Sequence, residues 1–121
     1  MAKILIIEDD RFLASAYKLA FQGEQFDVET AYDGEEGLQK IDSFAPDCIV
    51  LDLVMPILDG YGVLERLNKS GKVASLPIIV ASNLGQEDEI KRAMDLGAKA
   101  FITKSQTPIT AVIEKVQSFL K

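Results

Sequence analysis

The chain has 121 residues, enough for one domain with its own core, and 48% hydrophobic with 26% charged residues is ordinary globular composition. A net charge of −6 argues against nucleic acid as a direct partner, because phosphate backbones are held by clustered lysine and arginine. With no histidine and one cysteine, the chain has no Ser-His-Asp triad, no HExxH zinc site and no internal disulfide, and any metal must be held by oxygens. That favours Mg²⁺, Mn²⁺ or Ca²⁺.

The apolar runs are too short to span a membrane. Only Ala2 and Lys3 separate Met1 from the first run, which is no secretory signal. Cys48 adjoins Ile49 in a strand-like run and reads as a buried structural thiol. A cytoplasmic location without a membrane partner is expected.

In chain order, the strand candidates are Lys3–Ile7, Asp27–Ala31, Cys48–Leu51, Ile78–Ala81 and Ala100–Thr103. The first, third and fourth are continuously apolar, as parallel strands covered on both faces require; the second alternates and belongs nearer an edge. Helical spacing of Phe12, Leu13, Ala16, Tyr17, Ala20 and Phe21 predicts a first helix from Arg11 to Gln22, stopped by Gly23. Asp33 with Glu36 predicts a capping box opening a second helix to about Phe44. A third runs from Gly60 to Asn68 and a fourth from about Glu87 to Leu96, closed by Gly97. Thr107-Pro108 reads as a cap with proline at the first helical position, opening a fifth helix to the chain end.

Five βα units in this order specify an α/β doubly wound parallel sheet with right-handed crossovers, and such sheets bind ligands at the carboxyl ends of their strands. Strand one ends in Glu8-Asp9-Asp10, strand three in Asp52, strand four in Ser82-Asn83 and strand five in Lys104. Each has a plain structural use: Asp10 suits a helix cap, Ser82 a loop hydroxyl, Lys104 a solvated surface. Asp52 is harder to dismiss, because it follows an apolar strand and no helix starts directly after it. Taken together, clustered carboxylates without nitrogen ligands suit Mg²⁺, and a carboxylate can act as a nucleophile that forms an aspartyl phosphate. A lysine and a hydroxyl beside it could neutralise phosphoryl oxygens during in-line transfer.

These residues carry a resemblance. I-L-I-I-E-D-D at the first strand, L-D-L-V-M-P-I-L-D-G around the third, I-I-V-A-S after L-P and G-A-K-A-F-I-T-K before the last helix resemble, over essentially the whole chain, the receiver domain of bacterial two-component response regulators, including the chemotaxis receiver. The resemblance implies a flavodoxin-like five-stranded sheet of order 2-1-3-4-5 with five helices, and one receiver domain over residues 1–121. It implies that Asp52 is the phosphoacceptor, Ser82 the switch hydroxyl, Lys104 the phosphate-pairing lysine and Phe101 the switch aromatic. The implied metal site for Mg²⁺ or Mn²⁺ is Asp9 directly, Glu8 through water, Asp52, and the backbone carbonyl of Val54; Met55-Pro56 and Asp59-Gly60 shape the loop. It further implies a sensor histidine kinase or phosphotransfer protein as phosphoryl donor, a protein partner reading helix four, strand five and helix five, and phosphorylation-dependent homodimerisation as an option. Since Lys121 ends the chain, no DNA-binding output is expected in it.

Three departures from the family pattern carry expectations. Ser105 stands where proline usually follows the lysine, and a cis bond costs a non-proline peptide about 3–4 kcal/mol, so a trans, rearranged loop is favoured. Val54 and Leu84 are apolar where the family places a hydrolytic water, which predicts slow self-dephosphorylation. Asn83 replaces a small residue and is expected to narrow access to Asp52 for small donors.

A switch of this kind assists its own phosphorylation and is not a turnover enzyme. The competing enzyme reading is an aspartyl-phosphate phosphatase of haloacid dehalogenase type, which wants a second aspartate where Val54 stands and a longer chain. A flavodoxin-like binder of FMN is disfavoured by the acidic rim and by the lack of a Gly/Ser/Thr phosphate loop after strand one.

Overall fold

Alternating exposure to two helical layers sets the architecture of the computed structural model, which describes residues 1–120. The strands are β1 (Lys3–Ile7), β2 (Asp27–Ala31), β3 (Cys48–Leu51), β4 (Ile78–Ser82) and β5 (Ala100–Thr103). They form one parallel sheet in the order β2-β1-β3-β4-β5. The helices are α1 (Arg11–Gly23), α2 (Gly34–Phe44), α3 (Gly60–Lys69), α4 (Glu87–Asp95) and α5 (Ile109–Phe119). Short 3₁₀ turns occupy Lys72–Ala74 and Lys104–Gln106.

Successive residues of a strand point to opposite faces, and the core divides accordingly. Leu5, Ile7, Ile49, Leu51, Ile78 and Val80 meet Ile41, Leu64 and Ala93 from α2, α3 and α4. Ile4, Ile6, Cys48, Val50, Ile79 and Ala81 meet Tyr17 and Phe21 of α1 with Val112, Ile113 and Val116 of α5. The inner strands β1, β3 and β4 are thus buried on both sides, which is why they read as unbroken apolar runs. The alternating β2 lies at an edge, as its pattern predicts.

The helix starts follow local chemistry with two differences from expectation. Asp33 caps α2 by accepting from the Glu36 N–H at 2.8 Å, but Glu36 returns its carboxylate to the N–H of Tyr32, one residue earlier than in a capping box. Helix α5 begins at Ile109, with Pro108 in extended conformation at its N-cap and no side-chain cap. Thr107 is drawn instead into the preceding 3₁₀ turn, donating its N–H to the Lys104 carbonyl. The helix closes at Phe119; Lys121, onto which its expected continuation falls, lies outside the described residues.

Candidate functional site

The register of the strands places the rim residues. Ile7 is level with Leu51, so Glu8 and Asp52 emerge side by side between β1 and β3, where the strand order reverses. The Asp52 N–H continues the ladder to the Ile7 carbonyl at 2.9 Å. On the other side Ser82 is level with Thr103, so Asn83 faces the Lys104 turn.

Asp52 is only 6% exposed, Glu8 3% and Ser82 fully buried. Lys104 Nζ supplies the compensating charge: it lies 2.5 Å from Glu8 Oε1 and 3.4 Å from Asp52 Oδ2. The remaining oxygens are also occupied. Asp52 Oδ1 accepts from the Leu53 N–H at 2.8 Å, and Glu8 Oε2 from the Asp10 N–H at 3.1 Å. Burial pushes the Glu8 carboxyl up to about 7, with Asp52 adding to the rise and Lys104 opposing it. Burial works against the Lys104 ammonium, but Glu8 and Asp52 outweigh it and hold its pKa above the ordinary value.

One carboxylate oxygen from each of Glu8, Asp9 and Asp52 lies within 4.8 Å of the others. Asp9 is exposed, so solvent reaches this cluster from its side. An all-oxygen, carboxylate-rich donor set reached by solvent fits a hard divalent cation that keeps part of its water shell. Asp10 stands outside the cluster as the N-cap of α1, accepting from the Leu13 N–H at 3.1 Å.

The β3–α3 loop is pressed against the acid. A Cβ on Gly60 would come within 2.3 Å of the Asp52 carbonyl oxygen, so only glycine fits there, and its N–H donates to the Leu53 carbonyl at 3.0 Å. Asp59 caps α3 through the Gly62 N–H at 2.9 Å. Met55 is buried, whereas Val54 is 58% exposed. Ile57 has φ +71° at the centre of a turn in which the Leu58 N–H donates to the Pro56 carbonyl at 2.8 Å.

The other rim residues are half in place. Ser82 Oγ accepts from the Leu84 N–H at 3.2 Å and is thereby engaged within its own loop. Phe101 is half-buried and packs, with Leu84, against the α2–α3–α4 side of the core. No cis peptide occurs among the described residues, so Lys104–Ser105 is trans and the chain turns through the 3₁₀ segment, the rearranged loop that Ser105 predicts. Cys48 is buried and its thiol is pushed up to about 12 by burial, an inert structural thiol.

Geometry and relatives agree. Residues 4–116 match the family model for the response regulator receiver domain, and the chain belongs to that family. It is 31% identical over 121 residues to the DNA-binding dual master transcriptional regulator RpaA of Synechocystis, covering 100% of this chain and 50% of that protein. The chain spans half or less of the curated relatives it matches. Among solved structures, the receiver domain of the Francisella response regulator 1452 superposes with a TM-score of 0.91 at 30% identity, covering 98% of this chain and 96% of that one. The CheX-CheY-BeF₃-Mg²⁺ complex of Borrelia burgdorferi superposes with a TM-score of 0.89 at 31% identity, covering 99% and 90%. The chain is therefore a receiver domain of two-component signalling. No helix among the described residues is long and apolar enough to cross a membrane.

Proposed function

We propose that residues 1–121 act as one phosphoacceptor domain in which a donor's phosphohistidine passes its phosphoryl group to Asp52. The N–P bond of the donor breaks as an Asp52 carboxylate oxygen forms the new O–P bond, and the imidazole leaves. The single observation that carries this reading is the environment of Asp52: nearly buried, flanked by two further carboxylates, and with Lys104 Nζ 3.4 Å away.

Glu8, Asp9 and Asp52, with the backbone carbonyl of Val54, would hold the Mg²⁺ or Mn²⁺. Once bound, the ion would supply positive charge to the phosphoryl oxygens. Lys104 pairs with the same group from the β5 side, and Ser82 turns from Leu84 toward it. Phe101 follows into the space the hydroxyl leaves. The repacked α4-β5-α5 face is then read by a protein partner, and self-association of two phosphorylated chains through that face is an accessible outcome.

The donor is a sensor histidine kinase or phosphotransfer protein, and the domain works in the cytoplasm without direct nucleic-acid or membrane contact. The Borrelia relative, crystallised with BeF₃, Mg²⁺ and CheX, supports both the ion and the protein partner. With Val54 and Leu84 unable to hydrogen-bond a water, the aspartyl phosphate persists, and the domain is a switch and not a turnover enzyme. An acyl phosphate is cleaved by neutral hydroxylamine, whereas a phosphoserine at Ser82 survives it. Labelling with acetyl phosphate and Mg²⁺ is expected to give a hydroxylamine-labile phosphoryl group; a resistant one would place the acceptor elsewhere.

A further inference from the structure

The residues immediately after the hydroxyl and after the lysine are joined. The Ser105 N–H donates to Asn83 Oδ1 at 3.0 Å, a bond between the β4–α4 loop and the turn that follows β5. Proline at residue 105 would have no N–H to give. Asn83 and Ser105, the two departures from the family pattern at these strand ends, are therefore the two halves of one contact.

Its position gives it a consequence. Asn83 lies between Ser82, whose hydroxyl accepts from the Leu84 N–H at 3.2 Å, and Leu84 itself. Ser105 follows Lys104, which is held by Glu8 and Asp52. The loop carrying Ser82 is thus held twice within three residues: across its ends by the Ser82–Leu84 bond, and at its middle by Asn83, which ties it to the turn after the ion-paired Lys104. For Ser82 to approach a phosphoryl group on Asp52 it must release Leu84, and the backbone of the segment must follow.

We infer that Asn83 is a positioning residue that holds the Ser82 loop in its resting conformation through the Ser105 N–H. This rests on the reading of Asp52 as phosphoacceptor. Loss of the bond shifts the loop population toward the arrangement in which Ser82 faces Asp52, and phosphorylation by small donors becomes faster. One exposed hydrogen bond supports an effect of about two- to tenfold. A steric screen by Asn83 gives the same sign for alanine, but a different result for a side chain of equal bulk that lacks an acceptor.

The test compares the native chain with Asn83→Ala and Asn83→Leu, measuring the acetyl-phosphate rate with Mg²⁺ and, separately, amide exchange at Ser105 by NMR without donor. The expected result is that both variants accelerate to the same extent and that both deprotect the Ser105 amide. If Asn83→Leu reacts at the native rate while Asn83→Ala is faster, bulk alone is responsible and the latch is wrong. Unchanged Ser105 exchange in both variants overturns it as well. A native chain that takes up no phosphoryl group, with Ser105 deprotected in the variants, refutes the phosphoacceptor reading and leaves the bond itself established.

Discussion

Lys104 is the ion-pair partner of Glu8 before it is the partner of Asp52: its Nζ is 2.5 Å from the first carboxylate and 3.4 Å from the second. A divalent cation bound at the acidic cluster would therefore compete with the lysine for Glu8. On the proposed reading, a cation held by the carboxylates would weaken the hold of Glu8 on Lys104 and leave the ammonium available to a phosphoryl group on Asp52.

The buried carboxylate gives the ion-free domain a definite pH dependence. Glu8 has its folded value raised to about 7 from 4.5, so the stabilisation from its bound proton is full below about 4.5 and lost as pH rises through about 7. Thermal unfolding without divalent ions should show stability falling between pH 5 and pH 8 on the order of these values. Mg²⁺ binding needs the deprotonated carboxylates, so its affinity should rise over the same interval and offset the loss. A melting temperature that climbs from pH 5 to pH 8 without metal would contradict this assignment.

Removal of Lys104 leaves two buried carboxylates without their cation. Lys104→Met is expected to cost about 3 kcal/mol at neutral pH, in the range seen when one member of a buried ion pair is deleted. Because the penalty is electrostatic, millimolar Mg²⁺ or mild acid should restore much of it. Equal destabilisation with and without Mg²⁺ in urea titrations would mean that packing of the lysine stem dominates.

Much of this was legible in the sequence and some was not. The strands, with β4 one residue longer than its apolar run, and the meeting of Glu8, Asp9, Asp52 and Lys104 at one rim follow from apolar runs ending in polar residues, because a parallel sheet brings such ends together. Phe101 and the order of the strands needed the family resemblance. The Lys104–Glu8 pair joins residues 96 positions apart, and the Asn83–Ser105 bond residues 22 apart, so neither leaves a local pattern to read. Pro108 is the N-cap of α5 and not its first helical residue, because the sequence does not announce the 3₁₀ turn that absorbs Thr107.

Ile57 is the clearest case of a residue at odds with its backbone. Its φ of +71° with the Pro56–Leu58 hydrogen bond corresponds to the rare γ-turn that strains a β-branched side chain, and 79% of the residue is exposed, so packing gives little back. Ile57→Gly should stabilise the domain by about 1 kcal/mol after allowance for glycine's unfolded-state freedom. Loss of stability in urea titrations would show that the isoleucine side chain has a partner in the fold.

If Asp52 is phosphorylated as proposed, the apolar Val54 and Leu84 are expected to lengthen the lifetime of that form. Val54→Asn introduces a group able to hold water beside the phosphoryl group, and should shorten the lifetime by about tenfold, the scale of one well-placed hydrogen bond. Following the decay of the phosphorylated mass after donor removal checks this. A native lifetime of only seconds, unchanged in the variant, would sink the prediction of a slow switch.

Phosphoryl transfer to Asp52 is measured most directly as intact mass after incubation with acetyl phosphate and Mg²⁺. The native chain should gain a single phosphoryl group, Asp52→Asn none, and the native chain none when Mg²⁺ is chelated. An equal gain in Asp52→Asn, or continuous release of phosphate over many turnovers, would contradict it.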